Sequence, residues 1–412
     1  MRGNVKGVNV IGNFHGPHGL AESGRQLVAS LEKQNIPYVL IPELWRPDIM
    51  NEDLPGYYVT QGIYEVNIFA PCINTMVRAF NYHMHRLMKG RYNIAWCFWE
   101  ASRLPQKMKK GLELFDEVWV STQYLKECIS QAVSIPVHHI PQAVEPKTQL
   151  PSLAKASFGL LERFTFLFCF DFRSVAERKN PFALIRAFCK AFSKNEPVQL
   201  VIKTHNGTKL PEDFKRLSDD CAQDQRIILI DESMPFERLY ALMNACDCYV
   251  SLHRTEGFGL TMAEAMLMEK PVIATGYSGN LDFMNETNSF LCAYQLVRVG
   301  HTTLPYPVDS IWAEVDIDHA AFWMDYVWKH PEETRLTGRK ARQDILQFHS
   351  QSEMGRHLVS RLNQIQPDFL SKTYRGKQWS IRLFSCINFW EKFLPRLARA
   401  PRKLYKILFC RS

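Results

Sequence analysis

"CYVSLHRTEGFGLTMAEAMLMEKPVIAT", residues 248–275, reads as strand, turn, helix and strand in a single short stretch. CYVSLH is a short apolar run. Gly257 and Gly259 then let the backbone turn, TMAEAMLME is made of residues compatible with a helix, and KPVIAT resumes as an apolar strand. Strands alternating with helices in this way build a parallel sheet, and in that architecture ligands sit at the carboxyl ends of the strands. The turn RTEGFGL, with Glu256 before it and Glu264 eight positions on, is therefore where chemistry is expected.

The same pattern extends in both directions. FTFLFCFDF (164–172) is an almost unbroken apolar run, as a strand buried on both faces requires. PVQLVIK, RIILID, CYVSLH and KPVIAT follow, separated by helix-like sequence such as NPFALIRAFCKAF and PFERLYALMNAC. Upstream, an apolar run at 8–11 leads into the glycine-rich loop GNFHGPHGLAESGR. A helical face of Leu20, Leu27, Val28 and Leu31 comes next, and then the strand IPYVLIP. Further strands are expected at 93–98, 117–120 and 137–140. Prolines and small residues interrupt the pattern near PQAVEPKTQLPSLAKASFG, which puts the domain boundary at about 145–160. The expectation is an α/β protein of two doubly wound, Rossmann-like domains, 1–145 and 146–350, followed by a helical region at 351–371 and a tail at 372–412.

Composition agrees with a folded chain of two domains. The 412 residues are 46% hydrophobic and 22% charged, and no run reaches the roughly 18 apolar residues of a membrane span. The N-terminal segment has no long apolar core like that of a secretory signal, so a cytoplasmic location is expected. Eleven cysteines, among them Cys97, Cys169 and Cys189 in apolar surroundings, read as reduced core thiols. Cys246 and Cys248 form a C-x-C without a second pair at zinc spacing, so no metal site is expected there. The net charge of +8 is local: residues 372–412 carry eleven Lys or Arg against Glu391 alone, leaving 1–371 at −2.

The loop DFRSVAERKNP places Arg173 and Lys179 just past a strand end, where two cations suit an anion such as a diphosphate. Past the later strand CYVSLH, Gly257 and Gly259 allow close backbone approach and leave N–H groups at a helix start, suited to phosphate or sugar oxygens. Glu256 can accept hydrogen bonds from sugar hydroxyls. Glu264 has two readings, because Thr261-x-x-Glu264 is also a capping-box pattern that would only begin a helix.

With these residues in view, EGFGLTMAEAM followed by EKPVIATGYSGN resembles the Glu-x7-Glu signature of retaining GT-B glycosyltransferases, glycosyltransferase family 4 in particular. Arg173 and Lys179 are similar in spacing and context to that family's donor diphosphate pair. IPQAVEP (140–146), LYALMNACDCYVSLHRTEGFGL (239–260) and WAEVDIDHAA (312–321) extend the likeness over about 140–350. The resemblance implies a GT-B fold, with two domains facing across a cleft and a C-terminal helix crossing back to the first. It implies Glu256 on donor sugar hydroxyls and Glu264 on the nucleotide ribose. Gly257, Phe258, Gly259 and Leu260 would lie along the donor, and Arg173 and Lys179 against the departing diphosphate. Transfer of a hexose would proceed with retention and without a metal, since no DxD motif stands at a matching place, and no cofactor is needed beyond the nucleotide sugar.

In the first domain, the glycine-rich loop is expected to close over the donor phosphates, with Gly19 as the point of approach and Glu22 nearby. His15 and His18 are read as loop residues. In AWCFWEASRLP, Trp99-Glu100 stands where some relatives carry a histidine, so Glu100 is either a contact to the acceptor hydroxyl or a structural ion-pair partner. In the tail, WSIRLFSCINFWEKFL (379–394) has apolar residues at helical spacing among cations. It suits an anionic membrane surface or packing on the first domain, and nucleic acid is not favoured. The acceptor would be a glycan or a lipid-linked molecule. Alternatives are a sugar-nucleotide epimerase, a phosphorylase (for which no pyridoxal lysine is identifiable), and a non-catalytic nucleotide-sugar-binding protein.

Overall fold

A computed structural model of the chain describes residues 6–14, 19–42, 61–70, 86–145, 152–300 and 305–365. The first sheet holds β1 (Val8–Gly12), β2 (Tyr38–Pro42), β3 (Val66–Phe69), β4 (Tyr92–Cys97), β5 (Glu117–Val120) and β6 (Val137–His139), in the order β2-β1-β3-β4-β5-β6. The second holds β7 (Phe164–Asp171), β8 (Val198–His205), β9 (Ile227–Asp231), β10 (Cys248–Ser251), β11 (Val272–Thr275) and β12 (Phe290–Cys292), in the order β12-β11-β10-β7-β8-β9. Every pairing within these two sheets is parallel. The expected pair of doubly wound Rossmann-like domains is present.

Burial explains why the strands read as apolar runs. All residues of β1, β3, β4, β5, β10 and β11 are buried, because helices cover both faces of a parallel sheet. β7 and β8 pair residue for residue from Phe164 opposite Val198 to Asp171 opposite His205, which brings those two polar side chains together at the carboxyl end of the sheet. Leu27, Val28 and Leu31 of α1 (Gly19–Lys33) are buried as their spacing predicts. Cys97 and Cys169 are core thiols, but Cys189 is exposed, a correction to the reading from its neighbours.

Beyond the second sheet the chain forms an antiparallel hairpin, β13 (Tyr294–Arg298) with β14 (Ile311–Val315). Sequence reading did not separate it, because β13 is largely exposed and lacks the apolar run of a buried strand. Near the end of the described chain, Ser350 accepts a hydrogen bond from the Glu353 amide at 3.2 Å and starts α11 (Gln351–Leu362). This helix crosses back and packs on α1, adding Met354, Leu358 and Leu362 to the first domain's core. Arg361 fixes it there through the fully buried Glu117, which also accepts from Tyr92 at 2.9 Å and Trp119 at 2.6 Å. The tail from 372 onward and its expected helix at 379–394 lie outside the described residues, as do His15 and His18.

Candidate active site

The loop between β10 and α8 (Leu260–Leu267) carries Glu256 into a buried cluster. Its Oε1 lies 2.5 Å from Lys179 Nζ and 3.0 Å from Arg178 Nη1. Arg178 also donates to the Thr255 carbonyl at 2.8 Å, and the Glu256 amide donates to Ser278 Oγ at 2.8 Å. Burial opposes charge on Glu256, but Arg178 and Lys179 outweigh it and hold the carboxyl down to about 2. Burial lowers Lys179, with Glu256 opposing. The result is a desolvated anion held between two cations.

Lys179 and Arg178 come from α4 (Ala176–Lys179), a single turn bounded by unusual backbone. Val175 before it has φ +65°, rare for a β-branched residue, and Asn180 after it sits in the left-handed region with Nδ2 donating to the Leu252 carbonyl at 3.0 Å. This geometry turns the last two side chains of the helix toward Glu256. Arg178 was not singled out from the sequence, where it stands unmarked beside Lys179.

Arg173 belongs to a different group. Its guanidinium is held by Asp171 at 2.9 and 3.0 Å and is half exposed, so Arg173 and Lys179 do not converge on one carboxylate. Asp171 also contacts His205 at 3.1 Å and Asn206 at 3.0 Å. Burial disfavours its charge, but His205, Arg173 and Asn206 hold the carboxyl well below the ordinary range.

The capping-box reading of Glu264 is overturned. The cap is Gly259, at φ +99°, and no side chain caps the helix, so Glu264 lies inside α8 and not at its third position. Thr261 instead accepts from the Tyr249 hydroxyl at 2.8 Å. Glu264 is buried in a narrow pocket shared with Glu22 and Gln26 of α1, Leu260, and Tyr240 of α7 (Phe236–Ala245). Tyr240 donates to Glu264 Oε1 at 2.8 Å. Burial, with Glu22 adding to it, pushes the Glu264 carboxyl up to about 8. Glu22 itself pairs with Arg25 at 2.5 Å and accepts from Gln26 at 2.8 Å. The two glutamates of the Glu-x7-Glu spacing thus occupy opposite electrostatic settings.

The remaining residues lie at or near the contact between the two domains. Gly19 meets Leu260, with only 3.6 Å between a Cβ at Gly19 and Leu260 Cδ2, so the start of α1 faces the start of α8. A Cβ at Gly257 would fall 2.5 Å from the Trp99 carbonyl oxygen, and the Gly257 carbonyl accepts from Thr122 at 2.9 Å. This glycine serves the approach of the two domains. The Phe258 ring is buried against Phe283 and His349 at 4.9 and 5.7 Å, so only its backbone is left for a ligand.

Glu100 stands on the first domain beside the same cluster. Its carbonyl accepts from Thr255 Oγ1, its carboxylate accepts from the Tyr306 hydroxyl at 3.3 Å, and its charge acts on both Arg178 and Lys179. Tyr306 and Tyr240 were not found from the sequence. Tyr306 is more than two hundred residues along the chain from Glu100 and Tyr240 is twenty-four from Glu264, and no local pattern marks either.

Residues 167–295 match the model of the family described as "Glycosyl transferases group 1". The matched segment includes Arg173, Lys179, Glu256 and Glu264, and its description agrees with the family that the motif resemblance indicated. Solved structures with the same two-domain GT-B fold include a glycosyltransferase from Rickettsia africae, at TM-score 0.65 and 13% identity over 89% of this chain and 99% of that one. Anabaena HepE in complex with UDP and glucose matches at TM-score 0.63 and 12% identity, over 87% and 100%. Sucrose-phosphate synthase from Thermosynechococcus elongatus matches at TM-score 0.63 and 14% identity, over 87% and 98%. No curated protein matches the sequence significantly.

Proposed function

We propose that this glycosyltransferase moves a hexose from a nucleoside-diphosphate sugar to a hydroxyl of a glycan or lipid-linked acceptor, with retention. The observation that carries this reading is the buried Lys179–Glu256–Arg178 cluster at the strand ends, with Glu264 facing the first domain one helix further on. Glu256 is ionised at neutral pH and offers acceptor oxygens to donor sugar hydroxyls. Glu264 meets the ribose at the contact between α8 and α1. Lys179 and Arg173 supply positive charge for the leaving diphosphate, which stabilises the developing charge electrostatically and requires neither a metal nor a further cofactor. Glu100 lies on the acceptor side. The complex of HepE with UDP and glucose, in a chain of the same fold, supports a uridine nucleotide as the first donor to try.

The test is a thermal-shift screen with UDP, GDP and ADP sugars, followed by turnover with the best binder and assignment of the product anomer by NMR. Failure of every nucleotide sugar to stabilise the protein would sink the proposal. Binding without turnover would favour a non-catalytic nucleotide-sugar-binding protein, and an inverted anomer would remove retention. Among the described residues no helix is long and apolar enough to cross a membrane. The basic, aromatic tail at 372–412 is proposed as a peripheral attachment to an anionic inner-membrane surface from the cytoplasmic side. Deleting it should move the protein from the liposome pellet to the supernatant, and unchanged sedimentation would refute the attachment.

A further inference from the structure

All but the first two residues of the β13–β14 hairpin lie beyond the segment matched to the family, and the hairpin is bonded to both sides of the site. On the donor side, the Ala313 amide donates to the Arg254 carbonyl at 2.9 Å. Glu314 holds the Arg254 guanidinium at 2.6 and 2.8 Å, two residues before Glu256. On the first-domain side, the Ile311 amide donates to Ser102 Oγ at 2.7 Å, and Asp309 pairs with Arg103 at 3.4 Å. Val299, Tyr306 and Trp312 are buried in the first domain's core although the chain has already completed the second sheet. Tyr306 reaches furthest in. Its ring packs edge-on to Trp99 at 5.4 Å, and its hydroxyl points at the Glu100 carboxylate.

We propose that this hairpin forms the acceptor wall of the cleft and that Tyr306 is a positioning residue, holding Glu100 in the orientation in which its free oxygen meets the acceptor hydroxyl. The inference rests on the transferase reading above and adds to it where acceptor selection resides. Two further features place the pair at the reacting end of the cleft. Arg178, bound to Glu256, also feels the charge of Glu100. The Thr255 hydroxyl, one residue from Glu256, donates to the Glu100 carbonyl. The hairpin therefore links acceptor-side and donor-side carboxylates through short contacts.

Tyr306→Phe keeps the ring on Trp99 and removes only the hydroxyl. UDP binding is measured by calorimetry. Transfer is measured with UDP-glucose, UDP-N-acetylglucosamine and GDP-mannose as donors and the octyl glycosides of glucose, galactose and mannose as acceptors. The expected result is a UDP Kd within about twofold of wild type and an acceptor KM raised about tenfold, the scale of one hydrogen bond to a charged group. Glu100→Gln should shift acceptor KM in the same direction, and the double variant should be no worse than the more severe single one, because both act through one contact. If Tyr306→Phe raises UDP Kd and acceptor KM together, the hairpin merely holds the domains in place and the inference is wrong. Unchanged acceptor KM in both single variants also overturns it. A wild-type protein that binds no nucleotide and transfers to no glycoside refutes the transferase reading itself, a failure distinct from one confined to the variants.

Discussion

Replacing Glu264 by glutamine should stabilise the protein at neutral pH while weakening its hold on the nucleotide. In the fold the carboxyl is pushed from its ordinary value of 4.5 up to about 8, mainly by burial. In the unfolded chain it ionises at its ordinary value. Below both values each state carries the proton, and the group imposes no penalty. As pH rises through the unfolded value, the unfolded chain loses its proton while the folded chain keeps it, so stability falls by about 1.4 kcal/mol per pH unit until the folded group ionises near 8. Glutamine is nearly isosteric with the protonated acid and can still accept from Tyr240, but it does not titrate. The stability gap between Glu264→Gln and wild type should therefore open by about 2 to 3 kcal/mol between about pH 5 and about pH 7. Urea denaturation of both proteins at those two values measures it, and the contributions of all other groups cancel in the difference. A gap that stays constant with pH, or a variant less stable than wild type at neutral pH, would refute the reasoning. In parallel, calorimetry with UDP should show weaker binding by the variant, separating a ligand-facing acid from a structural one.

Glu256 has the opposite sign. Its carboxyl is held to about 2 against an ordinary value of 4.5, so its contribution is full above about 4.5 and is lost as pH falls toward about 2, visible as wild-type acid unfolding that Glu256→Gln lacks. Arg178→Met removes a buried cation from Glu256 and the Thr255 carbonyl, and should cost about 3 kcal/mol in denaturation together with loss of nucleotide binding. Gly257→Ala would push a methyl group into the Trp99 carbonyl and should cost about 1 to 3 kcal/mol, with domain separation seen by small-angle scattering. Arg361→Met leaves Glu117 buried without its cation. It should lower stability by about 3 kcal/mol and release α11 in hydrogen exchange, while a fully protected α11 would show that apolar packing alone holds it.

The buried parallel strands were legible because burial on both faces leaves a continuous apolar run, as in FTFLFCFD and VQLVIKTH, with turns between them. Where that condition fails, so does the reading. β13 is exposed and does not carry the signature, while β3 went unread although all four of its residues are buried. Within the site, Lys179, Glu256, Glu264 and Glu100 could be picked out because each stands at a strand end or in a recurring motif. What each one touches could not.

Local spacing by itself determined the two α/β domains, the strand-end position of Glu256 and the presence of cations after β7, because these depend on periodicity over ten or twenty residues. It left Glu264 open between a cap and a ligand. The fold resolved the cap by starting the helix at Gly259, and burial against α1 then raised the carboxyl. The tertiary structure alone decided that Arg178 shares Glu256 with Lys179 and that Tyr306 reaches Glu100 from more than two hundred residues away along the chain. The physical reason is common to both. A charge's partner and its desolvation are set by which elements fold back against it, and such long-range proximity leaves no periodic trace in the sequence.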